Sequence, residues 1–505
     1  VDDAVSGTRP NLVRDMSGLA AARMGVRVLG VLVGWVVARV IGPEALGQLS
    51  VPNLLFVLLP FVTLGFADGL AREMPLARRD DPPFERSLLQ TAWFLNLLLL
   101  ALCALLVLLL QPLLQPWISD PLLLWLAVGA GLANGALRVA LIGLGGGRRI
   151  QELATLQVVQ GVLRAVLVLG LLALLPGPLR VYVLHLGMLI SLVGAVWWAA
   201  RQGVVLPPRL DRRAAGLLAR SGPPMAFASL FLMLLVVGDR LVMSRLLTGE
   251  VLGFFEQGVL IRDGLLLLPG VLLTVLVPDH ASRQGDAERR PELLRDVARQ
   301  SGLVAVLSPV LLVLMALQLP WLIELLLPRF TAGLPLFQLA VLGMCPIFLS
   351  YIFVSLMIGE GRSLQVGLLG MACLGGVLGV DAFAPHWPGP WLDAVTTQSP
   401  PLAGMREALS AALSALAGFW LFTVVVMAWG RASWSLPTRR VGSWLLPSLI
   451  LTIAALAGLA MGWLQHWQAW VNGLALASCG LLLTGYEMRS GQLAKMWRAR
   501  HAAKG

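Results

Sequence analysis

The sequence predicts an all-α, polytopic membrane protein of about 14 transmembrane helices, read as two parallel-repeat six-helix lobes plus two C-terminal helices. Three observations carry this. Apolar runs long enough to cross a bilayer, about 20 residues each, recur from end to end of the 505 residues. Charged residues make up 13% of the chain, about half the share found in soluble domains. Hydrophobic residues make up 58% and the mean hydropathy is +0.82, which leaves no room for a large soluble domain. A ten-residue segment also recurs at matching places in the two halves.

Apolar runs bounded by turn signals place the first six spans at 17–41, 46–72, 87–110, 121–143, 153–175 and 179–200. The second half supplies 222–247, 251–278, 301–327, 333–358, 364–380, 406–429, 444–464 and 467–487. Two prolines in "LLLLPGVLLTVLVPDH" predict a kinked or broken eighth span. Residues 1–19 are polar and lack an apolar h-region, so the first span is expected to serve as its own insertion signal.

The chain has a net charge of +11 from 38 Lys and Arg against 27 Asp and Glu. With the N-terminus cytoplasmic, 26 of the cations fall in tails and cytoplasmic loops, 3 on the opposite side and 9 within spans. That asymmetry follows the positive-inside rule and supports an even number of spans with both termini cytoplasmic. It also accounts for the basic charge without nucleic acid. The tail "RSGQLAKMWRARHAAKG" is expected near anionic headgroups of membrane lipid.

Residues 38–47, "ARVIGPEALG", align without a gap to 244–253, "SRLLTGEVLG", at an offset of 206. Arg39 matches Arg245, Glu44 matches Glu250, and Gly47 matches Gly253. An even number of spans separates the copies, so the repeats run in the same direction through the membrane. The predicted division is an N-terminal lobe at 1–205, a C-terminal lobe at 206–430, and two extra spans with a basic tail at 431–505. Within the turns, Arg39 with Glu44 and Arg245 with Glu250 are expected to form structural pairs.

Arg23 and Arg27 are four residues apart and share a helix face. From an entrance near residue 17 they lie roughly 9 and 15 Å deep at ~1.5 Å per residue. Arg164 and Arg262 also come out near mid-membrane. Such charges cost about 2.5–3.5 kcal/mol each on insertion scales and face a cavity or a partner. As a set, Arg23, Arg27, Arg164 and Arg262 read as a cationic cavity whose balance is completed by an imported phosphate or pyrophosphate. For each arginine singly, an internal partner is an equal alternative: Asp263 for Arg262, and a carboxylate such as Asp239 for Arg27. Asp239, Glu256 and Asp263 could bind a coupling proton or sodium ion, or could simply neutralise arginines. Asp68, Arg72 and Arg138 read as interfacial.

No catalytic residues and no metal or cofactor site emerge. A Walker-type motif is missing, and the two lysines, Lys495 and Lys504, lie in the tail. The five histidines have no ligand spacing, and the four cysteines fall in separate apolar segments. The outer loop 381–405, with His386 and Asp393, reads as an interfacial segment anchored by Trp387 and Trp391.

"GDRLVMSRLLTGEVLGFFEQGVLIRDGLLLLPGVLLTVLVPDHASRQG" (238–285) resembles the seventh and eighth spans of polysaccharide-unit flippases of the Wzx type. "VVARVIGPEALGQLSVPNLLFVLLPFVTLGFADGLAREM" (36–74) resembles their first two spans. The likeness covers most of residues 15–380 and then fades; Phe254-Phe255 stands where many relatives have Tyr. The resemblance implies a multi-pass protein of the bacterial inner membrane that is not an enzyme. It would flip an undecaprenyl-pyrophosphate-linked oligosaccharide from the cytoplasmic to the periplasmic leaflet by alternating access, and contact other polysaccharide-assembly proteins. Carried over by position, Arg23, Arg27 and Arg262 would line the cavity and Asp239 would match a seventh-span Asp. The alternatives are a cation-coupled exporter of small molecules or drugs with the same fold, and then a polymerase or ligase acting on the same lipid.

Overall fold

The computed structural model describes residues 9–115, 118, 120–146, 149–247, 249–266, 290–383, 404–434 and 438–460. Every regular element among the described residues is helical. Lipid demands this, because a backbone polar group in hydrocarbon must find its partner within the segment.

The first half contains α1 (Arg9–Ile41), α2 (Pro43–Gln48), α3 (Ser50–Leu58), α4 (Phe66–Asp80) and α5 (Pro82–Leu114). It continues with α6 (Pro121–Gly146), α7 (Ile150–Leu174) and α8 (Val183–Arg201). The second half begins with α9 (Arg212–Val237), α10 (Asp239–Leu246), α11 (Gly249–Leu265) and α12 (Arg290–Leu326). Then come α13 (Leu334–Leu342), α14 (Met344–Gly359), α15 (Ser363–Phe383), α16 (Met405–Trp434) and α17 (Thr438–Ala460).

Ten helical stretches are long and apolar enough to cross a membrane, and they match predicted spans 1–7, 9, 10 and 12. Two shorter apolar helices, Ser363–Gly379 and Ser448–Ala457, fall on spans 11 and 13. The protein is a multi-pass membrane protein. The second part of span 8, span 14, the tail, and the loop carrying His386, Trp387, Trp391 and Asp393 lie outside the described residues.

Three spans predicted as continuous are broken, the tenth at Gly343 between α13 and α14. In the second, α3 tightens into a 3-10 turn at Leu59–Thr63 carrying Pro60, and Leu64 and Gly65 then adopt left-handed backbone at φ 49° and 72°. Pro60 supplies no N–H, which favours the break. The kink brings Gly65 onto Gly222 of α9, where a Cβ on either glycine would overlap the other's backbone. In the seventh span the helix pauses at Gly238, so that Asp239 opens α10.

Packing buries α13 and α14 almost completely, whereas α5 leaves a row of leucines exposed, Leu109 at 68%. The first reads as core and the second as a lipid-facing rim. One large apolar cluster occupies mainly the second half, and three smaller ones fill the first. The halves meet where α2 packs on α11 and α4 on α9. In the first of these contacts the two repeat segments lie against each other.

Candidate functional site

One face of α1 carries Arg23, Arg27, Gly30 and Gly34. At about 100° per residue these span roughly 60° of the helix surface. The opposite face carries Val28, Leu32 and Val36, which are exposed and suited to lipid. The arginine stripe therefore points inward. Gly34 touches Leu260 of α11, and Val31 sits over Gly264.

Beside the stripe, α1 runs parallel to α7. The Arg23 Nε donates to Gln157 Oε1 at 3.2 Å. Gly161 receives Val26, and the guanidinium of Arg164 lies across Gly30, in the space a Cβ there would fill. Small residues let two helix backbones approach closely in a membrane, and here the close approach lets Arg164 reach across to α1. The stripe thus gathers three guanidiniums. Arg23 and Arg164 are part-buried and Arg27 is exposed. Among the described residues, none of the three has a carboxylate within ion-pair distance.

Arg262 does not join this set. It is 4% exposed and donates from Nη2 to Asp239 Oδ2 at 2.8 Å, with Asp239 2% exposed. Next to that pair, Arg240 Nε lies 3.2 Å from Glu256 Oε2, and its Nη2 lies 3.5 Å from Asp263 Oδ2. Asn53 of α3 reaches over from the first half, donating to Glu256 Oε1 at 2.8 Å. The cluster holds three carboxylates and two guanidiniums, so with all groups ionised it carries one excess negative charge. Its helix spacing makes this possible: Glu256 and Asp263 are two turns apart on one face of α11, and the break at Gly238 points Asp239 and Arg240 at that face.

Arg262, expected as a cavity cation, has an internal carboxylate partner in Asp239, as a buried guanidinium needs. Arg262 also borders a small pocket otherwise lined by apolar groups, including Phe255, Leu339 and Phe419. Neither single-partner alternative forms: Asp263 serves Arg240 rather than Arg262, and Asp239 serves Arg262 rather than Arg27. Sequence reasoning missed Arg240. The available signal was the adjacent Asp239-Arg240 pair deep in an apolar run.

At the turn after α1, the expected Arg39–Glu44 pair is replaced by a contact between halves. Arg39 Nη1 donates to the carbonyls of Leu325 and Leu326 at 3.2 Å each. These belong to the last turn of α12, whose carbonyls have no partner within the helix and favour a cation. Glu44, Arg245 and Glu250 are exposed. Asp68 and Arg138, expected to be interfacial, form an ion pair at 2.7 Å between α4 and α6, with Arg138 over the Phe61 ring. Arg72 sits beside Glu73 at 3.8 Å, mostly exposed.

Residues 12–280, just over half of the chain, match the family of polysaccharide biosynthesis proteins. No curated protein matches. Among solved structures, the chain is similar to a point mutant of the MATE transporter VcmN from Vibrio cholerae. The TM-score is 0.60 at 14% identity, covering 85% of this chain and 98% of that one. A MOP superfamily transporter from Pyrococcus furiosus, whose binding pocket has reverse polarity, aligns at TM-score 0.57 and 15% identity over 83% of this chain and 95% of that one. An inward-facing multidrug resistance MATE family transporter aligns at 0.59 and 14%, over 82% and 98%. At these identities the likeness speaks to fold.

Proposed function

Because the chain belongs to the family of polysaccharide biosynthesis proteins, we propose that it is a transporter which flips a lipid-linked oligosaccharide across the bacterial inner membrane. The cargo is an undecaprenyl-pyrophosphate-linked unit carried from the cytoplasmic to the periplasmic leaflet, with both termini of the protein cytoplasmic. The chain works as two lobes, 1–205 and 206–430, with residues 431–505 appended. It is not an enzyme in this reading, since no bond is made or broken.

The observation that supports this most is the stripe of Arg23 and Arg27 on the inward face of α1, joined by Arg164 from α7, without a neighbouring carboxylate among the described residues. Uncompensated cations at that depth cost several kcal/mol together. A pyrophosphate offsets that cost, and forked guanidiniums suit its oxygens better than ammonium groups would. The sugar follows into the gap between lobes while the polyprenyl chain stays in lipid. Release requires the outward state to hold the anion less tightly, since only differential affinity shifts the equilibrium.

The test is complementation in a strain lacking its own unit flippase, with Arg27→Ala and Arg164→Ala compared to wild type at equal membrane levels. Loss of surface polysaccharide with intact insertion is expected. Full complementation by both variants would overturn the reading.

A second reading, a cation-coupled exporter of small molecules, draws on the excess carboxylate in the Asp239–Arg240–Glu256–Arg262–Asp263 cluster. A proton or sodium ion bound there could couple either transport. Drug uptake into inside-out vesicles, abolished by Asp239→Asn, would favour the exporter.

A further inference from the structure

Helices α1 and α7 meet at two rungs that share one register. The Arg23 Nε donates to Gln157 Oε1 at 3.2 Å, across an offset of 134 residues. Gly30 receives the Arg164 guanidinium at the same offset. The rungs are two turns apart on each helix, so both fall on the faces that α1 and α7 turn to each other. Between them Gly161 receives Val26, which holds the helices at that spacing.

The chemistry of Gln157 suits its rung. A guanidinium only donates, so the amide must present its oxygen to Arg23. The bond engages the Nε edge and leaves the Nη groups without a hydrogen-bond partner among the described residues. Those groups form the end-on fork that suits a pair of phosphate oxygens. Held at Nε, the long side chain has already lost much of the rotamer freedom that binding would otherwise remove. The amide does this without a charge. A carboxylate at the same reach would hold Arg23 as firmly but cancel its charge, as Asp239 does for Arg262.

We infer that Gln157 is a positioning residue for the anion site: it turns the Arg23 fork toward the cavity and, being neutral, leaves its full charge for the lipid-linked pyrophosphate. This rests on the arginine stripe being the anion site proposed above. The shared register extends the device to the second rung, where the notch at Gly30 seats Arg164 against α1 with no carboxylate involved. One helix contact thus fixes two cations through neutral partners, and the cavity keeps both charges.

The experiment measures binding to the purified full chain in lipid nanodiscs, with farnesyl pyrophosphate and farnesol as probes. Gln157→Leu removes the acceptor at similar volume. It is expected to weaken farnesyl pyrophosphate roughly three- to tenfold, the scale of one hydrogen bond, with farnesol unchanged. Gln157→Glu keeps the acceptor but forms an ion pair, and is expected to weaken binding at least as much. In an Arg23→Ala background, Gln157→Leu should cause no further loss, because its effect runs through Arg23. If Arg23→Ala weakens farnesyl pyrophosphate and Gln157→Leu does not, the assignment of Gln157 is overturned while the anion site stands. If Arg23→Ala leaves binding intact, the anion site falls and the assignment with it. Additive losses in the double variant, or an equal loss on farnesol, would mark Gln157 as an independent or packing residue and overturn the assignment. Wild-type binding by Gln157→Glu would overturn the role given to its neutrality.

Discussion

Gly47 and Gly253 occupy corresponding positions in the two repeat segments, and at each the backbone of the other segment lies where a side chain would go. A Cβ at Gly47 would lie 2.9 Å from the Gly249 carbonyl oxygen and 3.0 Å from the Gly253 nitrogen. A Cβ at Gly253 would lie within 2.8 Å of Pro43 Cα. Pro43 and Gly249 are themselves partners at the offset of 206. Residue 47 meets 249 as 253 meets 43, the reciprocity of a two-fold contact.

Gly253→Ala should therefore hold the two repeat turns apart. Labelling of a cysteine placed at Leu46, buried in this contact at 4% exposure, by a membrane-impermeant maleimide should rise several-fold. Gly375→Ala, where a Cβ meets nothing within 4 Å, should leave labelling unchanged. Equal labelling in both backgrounds would show that the contact tolerates a methyl group.

Arg262→Ala should destabilise the protein by about 3–5 kcal/mol, the cost of leaving a buried carboxylate without its partner. Arg262 and Asp239 are only 5% and 2% exposed at the side chain. The double variant Arg262→Ala/Asp239→Ala should recover part of that loss. Thermal unfolding in detergent reads both, and additive losses would contradict the pairing.

Arg27→Ala should behave in the opposite way. With no carboxylate beside it among the described residues, its removal should leave stability unchanged or raise it, by up to about 2.5–3.5 kcal/mol, the insertion cost of such a charge. A large drop in unfolding temperature would mean that Arg27 has a structural role.

Gly30→Leu should imitate Arg164→Ala. The added side chain occupies the place of the Arg164 guanidinium, so both changes remove the same charge from the stripe. Complementation by the double variant should be no worse than by either single one, since effects on one contact do not add.

Asp211 caps α9 in the loop joining the halves. Its Oδ1 accepts from the backbone N–H groups of Arg213 at 2.7 Å and Ala214 at 3.2 Å, and Ser87 donates to Oδ2 at 2.8 Å. The Ser87 hydroxyl first, and the Ala214 amide next, hold this carboxyl below the usual aspartate range. The stabilisation is fully present above the unfolded value, about 3.9, and is lost as pH falls through the lowered native value. Ser87→Ala should move that loss to higher pH, read from unfolding temperature against pH. An unchanged profile would rule out the Ser87 contribution.

The spans were legible because burial in lipid imposes length and apolarity on each segment independently. Arg23 and Arg27 could be placed on one face because they share a helix, where spacing alone sets azimuth. Arg262 could not be assigned its partner in this way. Whether it meets Asp239 or Asp263 depends on a helix break at Gly238 and on how α10 crosses α11, and neither is a property of local sequence. The kink after Pro60 was equally hidden, since a proline marks where a helix can yield and its neighbours decide whether it does. Arg39 went to the α12 terminus rather than to Glu44, because a free helix end nearly 290 residues away lies closer in space than a carboxylate five residues on.

Sequence alone determined the membrane class, the helical fold, most of the spans and the likeness to polysaccharide-unit flippases, because hydropathy and short-range spacing act through a single chain segment. Tertiary structure decided which charges neutralise one another and which remain without a carboxylate neighbour. It paired Arg262 with Asp239 and brought Arg240 to notice. Coulomb energy falls with distance in space, and only the packed helices establish those distances.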